Sequence, residues 1–451
     1  MEETLVLKPE PTKFFRWTVL LFVSLAMFGN YYIYDCISPL ADLLSKQLNF
    51  SDSDIGLLQA IYSFPNIIMV LVGGLIIDKI GTRISVVLFT LLIFIGAVVT
   101  AMSSSLYFMA AGRLIFGLGA ESMIVAITTI IARWFKGKEL SFAFGLNLTV
   151  ARLGSFLALN SPSWGKSFYT EWQTPLWISV FAGVSAVVFI LIYFVLDLTA
   201  TKKFTMPKDG EQDKIVLKEL FNFGKSFWFI TALCVTFYSA MFPFQTFAIK
   251  FFQDAHGTTR EVGGNLSSML TLAAMFFTPL FGLLADKIGK RSLLMMFGSL
   301  LIVPVYLIMA YKVDLASPLG LHGMLSINLD FFDIHSQIPI YLLIPMSLMG
   351  IAFSLVPAVL WPSVSLVVDS SKLGTAYGLM TMIQNIGLFG FNLLIGFAND
   401  ISKASAANPG GYNLGMWIFS LLGFFGLFFS FMLRMNEMGP NKHGLEQGMK
   451  K

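Results

Sequence analysis

Glu121 and Arg152 are the residues of this 451-residue chain best placed to do chemistry. They are opposite charges set inside long apolar segments, whereas almost every other charge lies in a short connection between such segments. An ionisable side chain in an apolar span is costly to bury and usually faces a bundle interior or a wet cavity. Two roles are open. The pair can be a salt bridge that ties one segment to the next, or it can be two separate poles for a zwitterionic ligand. In the second role Glu121 receives an ammonium and Arg152 grips a carboxylate with its planar fork. Pole separation then selects ligand length, because an extended dipeptide separates its terminal charges by roughly 5 to 7 Å and a free amino acid by less.

The elements that must position these charges follow from composition. With 56% apolar and 12% charged residues, and a mean hydropathy of +0.75, the solvent for this chain is lipid. Apolar stretches run over 16–36, 55–77, 84–102, 106–132, 140–161, 176–196, 226–249, 262–285, 292–311, 338–361, 373–398 and 413–433. Each is long enough to cross about 30 Å of hydrocarbon as a helix, so twelve transmembrane helices are predicted. Of the 30 basic residues, six fall in one set of loops (Lys46, Lys166, Lys250, Arg260, Lys312, Lys403), two within spans (Arg113, Arg152), and the rest beside the termini and the alternate loops. Both termini are therefore expected in the cytoplasm. The first apolar segment is too long for a signal peptide and lacks its cleavage site, so it is expected to stay as span 1. No basic, aromatic-interleaved patch points to nucleic acid, and Cys36 and Cys234 offer neither metal-ligand spacing nor a disulfide framework. No metal and no cofactor are expected.

An internal repeat sets the architecture. Gly74-Leu-Ile-Ile-Asp78-Lys79-Ile-Gly81-Thr-Arg83 and Gly282-Leu-Leu-Ala-Asp286-Lys287-Ile-Gly289-Lys290-Arg291 share the pattern G-x-x-x-D-K-I-G-x-R at corresponding places 208 residues apart. The fold predicted is all-α, with two pseudo-symmetric six-helix bundles over 1–198 and 226–451 and a cytoplasmic linker over 199–225. In each repeat the glycine admits a neighbouring helix, and the aspartate (Asp78, Asp286) can bond the exposed amides of another helix N-terminus. Arg83 and Arg291 hold the turns at the lipid surface. A second alignment at an offset of 233 places Arg152 over Asn385 and Glu121 over Ser354, the extra residues falling in a longer outer loop over 312–337. The two charges are thus additions by the first half.

Counting residues from the connecting turn places Glu121 about 22 Å up span 4 and Arg152 about 21 Å up span 5, one common depth. Tyr62 and Asn66 flank Pro65 in span 2 and either line a cavity or satisfy the kink. Asp35, near the far end of span 1, reads as a hydrogen-bonding group of an outer gate, and Arg113 as a packing or gating residue. Asn147, Gln384 and Asn392 are expected to bond between helices. No histidine relay crosses the spans, and no nucleophile-base or metal constellation suggests an enzyme.

The repeated loop, twelve spans and long linker resemble the major facilitator superfamily over the whole chain. The strings Asn30-Tyr-Tyr-Ile-Tyr-Asp35, Tyr62-Ser-Phe-Pro-Asn66, Gly112-Arg113 through Glu121-Ser122, Trp134-Phe-Lys-Gly-Lys-Glu139 and Ala151-Arg152-Leu-Gly-Ser155 resemble the branch containing the animal lysosomal dipeptide uniporter. The resemblance implies alternating access around a midplane site, with Glu121 and Arg152 at the positions that hold a peptide's amino and carboxyl ends; Asn385, by its register with Arg152, and Tyr62, by its place in span 2, are the further candidate substrate contacts. The N-terminus lacks the branch's paired-leucine sorting signal, so a cell-membrane location is expected before a lysosomal one, with no accessory subunit implied and a monomer as the working unit. A proton-coupled peptide transporter, an organic-anion or drug transporter using Arg152 with Glu121 structural, and a non-transporting receptor stay open beside the dipeptide uniporter.

Overall fold

A computed structural model describes residues 9–135, 138–205, 222–329, 334–369, 372–440 and 442–448. The first half comprises α1 (Lys13–Asp35), the short α2 (Ala41–Leu48), α3 (Asp52–Ile80), α4 (Thr82–Met102), α5 (Leu106–Phe135), α6 (Leu140–Trp164) and α7 (Gln173–Lys203). The second comprises α8 (Lys225–His256), α9 (Arg260–Ile288), α10 (Arg291–Ala310), α11 (Ile340–Val367), α12 (Leu373–Ile401) and α13 (Asn413–Glu437). Among the described residues eleven helical segments are long and apolar enough to cross a membrane, and α3, bent by 54° between Asp52–Val70 and Val72–Ile80, is the twelfth when counted as one span.

Most helices outrun their apolar stretches at one end or both, α7 and α8 by seven residues at their C-terminal ends, because capping rather than hydropathy stops a helix. Ser51 and Asp54 form a reciprocal capping box at the start of α3, and the Thr12 and Thr259 hydroxyls accept the Phe15 and Val262 amides at the starts of α1 and α9. This overrun also carries His256, seven residues past the apolar stretch that ends at 249, into the last turn of α8. The linker expected over 199–225 begins inside α7, and its residues 206–221 lie outside the described ones.

One departure from an all-helical chain falls in the long outer loop. Met324–Leu329 (β1) and Ile334–Pro339 (β2) pair antiparallel with Met324 opposite Pro339. The Ser336 hydroxyl of β2 accepts the Asn265 amide of α9 at 2.7 Å. The hairpin thereby rests on the helix bundle instead of standing free.

Bonds between the halves gather on the face opposite the termini. Arg260 grips Asp42 through two nitrogens at 3.0 and 2.6 Å, and Lys250 pairs with Asp52, whose other oxygen takes the Asn399 amide at 3.0 Å. The Asp400 carboxylate accepts the backbone N–H groups of Asp52 and Ser53 at 2.9 and 2.8 Å, capping the N-terminus of α3 across the interface. Asn160 of α6 donates to Asn265 and Ser268 of α9. Gly396 lets the chains close up, since a Cβ there would sit 2.4 Å from the Asp52 carbonyl oxygen. The structure is therefore closed on this face.

The repeated loops behave differently from their expected capping role. Asp78 is exposed and makes no bond among the described residues, whereas Asp286 pairs with Arg291 at 2.5 Å. Arg83 turns instead to Asp197 at the end of α7, its Nη2 2.5 Å from the carboxylate. Asp197, fully buried, also accepts the Trp134 indole N–H at 3.2 Å.

Candidate functional site

Both charges line one cavity of about 310 Å3 between the halves. Four helices of the first half build the charged wall. On α5, Gly117 and Glu121 share a face one turn apart; a Cβ at Gly117 would lie 2.3 Å from the Tyr62 carbonyl oxygen, so only glycine lets α3 come this close. That approach brings the Tyr62 hydroxyl to donate to Glu121 Oε1 at 3.2 Å. Asn66 donates to the Tyr62 carbonyl at 3.1 Å, satisfying backbone beside Pro65 rather than lining the cavity.

Arg152 projects from α6. Its guanidinium carbon lies 5.6 Å from the ring centres of Tyr31 on α1 and Phe353 on α11, a cation held between two π faces. Glu121 and Arg152 form no ion pair within 4 Å, and Arg152 has no carboxylate partner among the described residues. Each charge is half-buried and turned to the shared space. A guanidinium and a carboxylate kept apart in a low-dielectric cavity attract ligand groups of opposite sign more strongly than either would in water.

The second half supplies an uncharged wall: Tyr238 and Phe242 of α8, Trp361 of α11, and Thr381, Gln384 and Leu388 of α12. Trp361 Nε1 donates to the Tyr238 hydroxyl at 2.8 Å, and the Tyr238 and Phe242 rings stack 5.6 Å apart at 9°. Asn385 does not line the cavity. Its Nδ2 donates to the Thr381 carbonyl at 3.0 Å within α12. Gln384 and Leu388 share the inward face of that helix, and Asn385 is rotated about 100° from it at 3.6 residues per turn. The pseudo-symmetric register with Arg152 pairs sequence positions, not side-chain directions.

Arg113 is 1% exposed and acts on backbone. It donates to the carbonyls of Ile33, Tyr34 and Leu58 at 3.0, 3.2 and 3.2 Å and to Gln59 Oε1 at 2.8 Å, joining the end of α1 to α3 beside the cavity. Asp35 is buried at the end of α1, faces Ser155 of α6, and lies outside the cavity wall. Asn147 and Asn392 bond between helices, to Ser24 at 3.1 Å and Thr246 at 2.9 Å, while Gln384 faces the cavity and takes the Cys234 thiol at 3.6 Å. A larger cavity of about 980 Å3 lies on the closed face between the α6 end, the α8–α9 turn and β2. It contains the Lys166–Glu261 ion pair at 3.3 Å and neither of the two poles.

Sequence reasoning did not single out Asn30, Tyr31 and Tyr34 as wall residues, although their spacing on α1 places them on adjoining faces of one helix. It also missed Tyr238, Phe242 and Trp361, whose aromatic type gives no signal that separates a cavity wall from a lipid-facing surface.

The family model for the major facilitator superfamily matches residues 23–392 and 245–449. The chain belongs to the major facilitator superfamily. It is 31% identical over 399 residues to the "Lysosomal dipeptide transporter MFSD1" of Danio rerio, covering 86% of this chain and 81% of that one. The Homo sapiens protein of that name is 31% identical over 398 residues, covering 85% and 80%. Among solved structures, a point mutant of the nucleoside transporter NupG superposes with a TM-score of 0.70 at 13% identity, over 92% of this chain and 99% of that one, which speaks to the fold alone. The chain is a multi-pass membrane protein and a transporter of this superfamily.

Proposed function

We propose that this protein carries dipeptides across its membrane by alternating access, with Glu121 holding the amino end and Arg152 the carboxyl end. The observation that carries the reading is the pair of opposite charges on one cavity wall, unpaired with each other and half open to it. The identity to relatives named as dipeptide transporters points to the same ligand class. Tyr62 orients the Glu121 carboxylate through its hydroxyl. A zwitterion and a site with one carboxylate and one guanidinium are each net neutral, so loading moves no net charge and needs no proton to balance it; uniport follows as the simplest cycle. The basic residues crowded on the terminal face support a cytoplasmic position for both termini, and a cell membrane and a monomeric working unit complete the proposal.

Thermal-shift measurements on the purified protein with dipeptides, amino acids and tripeptides test this. Stabilisation by dipeptides that is lost in Glu121→Gln and in Arg152→Lys is the expected result. Equal stabilisation by monocarboxylates, unchanged in Glu121→Gln, would instead make Arg152 an anion site with Glu121 structural. Binding without counterflow in proteoliposomes would make the protein a receptor.

A further inference from the structure

The α1 wall of the cavity consists of Asn30, Tyr31 and Tyr34; it touches Arg152 directly and reaches Glu121 through Tyr62. The Tyr31 ring packs against the Arg152 guanidinium, 5.6 Å from its centre. The Tyr34 ring meets the Tyr62 ring edge-on at 4.8 Å, and Tyr62 bonds Glu121. Asn30 adjoins Tyr31 in sequence and shares a helix face with Tyr34 one turn on. It lines the same cavity beside these two rings.

Asn30 is 3% exposed, and its Oδ1 is buried without a hydrogen-bond partner. Native proteins hold few such groups, because a buried acceptor that has lost water and gained nothing destabilises the fold. Helix α1 runs unbroken from Lys13 to Asp35, so no broken turn requires a side-chain amide at this position. A packing role would be filled as well by leucine, which has nearly the same shape and no orphan oxygen. The amide offers one acceptor and two donors, the complement of a peptide group.

We propose that Asn30 is a substrate contact that reads the peptide bond, its Oδ1 accepting the N–H between the two residues of the ligand. The inference rests on the dipeptide clamp and adds to it. The two poles measure only the distance between terminal charges, and any linear zwitterion of the right length would satisfy them. Asn30 makes the centre of the ligand count, because a ligand without the central N–H leaves the oxygen orphaned.

The test compares alanylalanine with its ester isostere alanyl-lactate, in which oxygen replaces the N–H, by calorimetric binding to the full-length protein. The wild type is expected to bind the dipeptide about tenfold more tightly than the ester. Asn30→Leu is expected to bind both alike, near the wild-type affinity for the ester. Asn30→Ala, which adds no bulk, gives the same comparison if the leucine variant does not fold. Equal affinities in the wild type, a tenfold preference that survives in the variants, or an equal loss for both ligands would each overturn the assignment. Glu121→Gln separates this from the clamp itself. If that variant binds alanylalanine as the wild type does, or if the wild type binds neither ligand, the clamp fails and the peptide-bond contact with it; if only the Asn30 comparison fails, the clamp stands.

Discussion

Replacing Asp52 by asparagine should release the face on which this structure is closed. Asp52 is 3% exposed and its ion-pair partner Lys250 keeps only 12% of its side chain accessible. Asparagine preserves the shape and one oxygen for the Asn399 amide, but leaves the ammonium buried beside the neighbouring carboxylate of Asp400 alone. Removing one member of a buried pair costs about 3 to 5 kcal/mol. With Asp400 nearby the lower figure applies, and about 3 kcal/mol is roughly a 150-fold change in an equilibrium constant. The penalty belongs to the closed conformer only, since Asp52 sits in the first half and Lys250 and Asn399 in the second, and opening returns all three to water. The closed-to-open ratio should therefore fall by about two powers of ten. Spin labels on Thr170→Cys and Ala406→Cys, both exposed on this face and one in each half, report the change by pulsed electron spin resonance in a background with Cys36 and Cys234 replaced by alanine. The distance distribution should move to longer values in Asp52→Asn and return in the charge-swapped pair Asp52→Lys with Lys250→Asp. A distribution unmoved by Asp52→Asn in folded protein would refute the assignment of this cluster as the latch.

Four further outcomes are expected. Tyr62→Phe removes the hydroxyl that donates to Glu121 at 3.2 Å and should raise the dipeptide Kd about tenfold, a loss of about 1.4 kcal/mol, by isothermal calorimetry. Gly117→Ala puts a methyl 2.3 Å from the Tyr62 carbonyl oxygen; it should lower stability by about 1 to 3 kcal/mol in thermal unfolding and weaken binding by shifting α3. Asp197→Asn leaves Arg83 without its buried counter-charge and should lower the melting temperature, at a cost of about 3 kcal/mol, with dipeptide affinity unchanged because the site is remote from the cavity. Dipeptide counterflow in proteoliposomes should be indifferent to a protonophore; an accumulation that collapses when the proton gradient is dissipated would replace uniport by proton coupling.

Much of the fold is written in the chain because lipid imposes it. A backbone in hydrocarbon must bond to itself, so twelve apolar runs can only be helices, and the repeated G-x-x-x-D-K-I-G-x-R loop divides them into halves. The hairpin at Met324–Pro339 escaped this logic because it lies outside the spans, where strand pairing competes freely with helix. Glu121 and Arg152 were legible as site residues for the same reason as the spans: charge in an apolar run is rare and expensive. Asn385 shows where that reading stops, since register assigns a depth but not an azimuth, and a rotation of about 100° separates the wall residue Gln384 from its neighbour. The sequence by itself determined the solvent, the helices, the duplication and the common depth of the two charges. Only the tertiary structure decided that those charges stay apart on one cavity, that uncharged aromatic rings face them, and that Asp42, Asp52 and Asp400 clamp the opposite face. Each of these depends on which helix faces lie together between the two halves, and packing settles that across separations of up to several hundred residues.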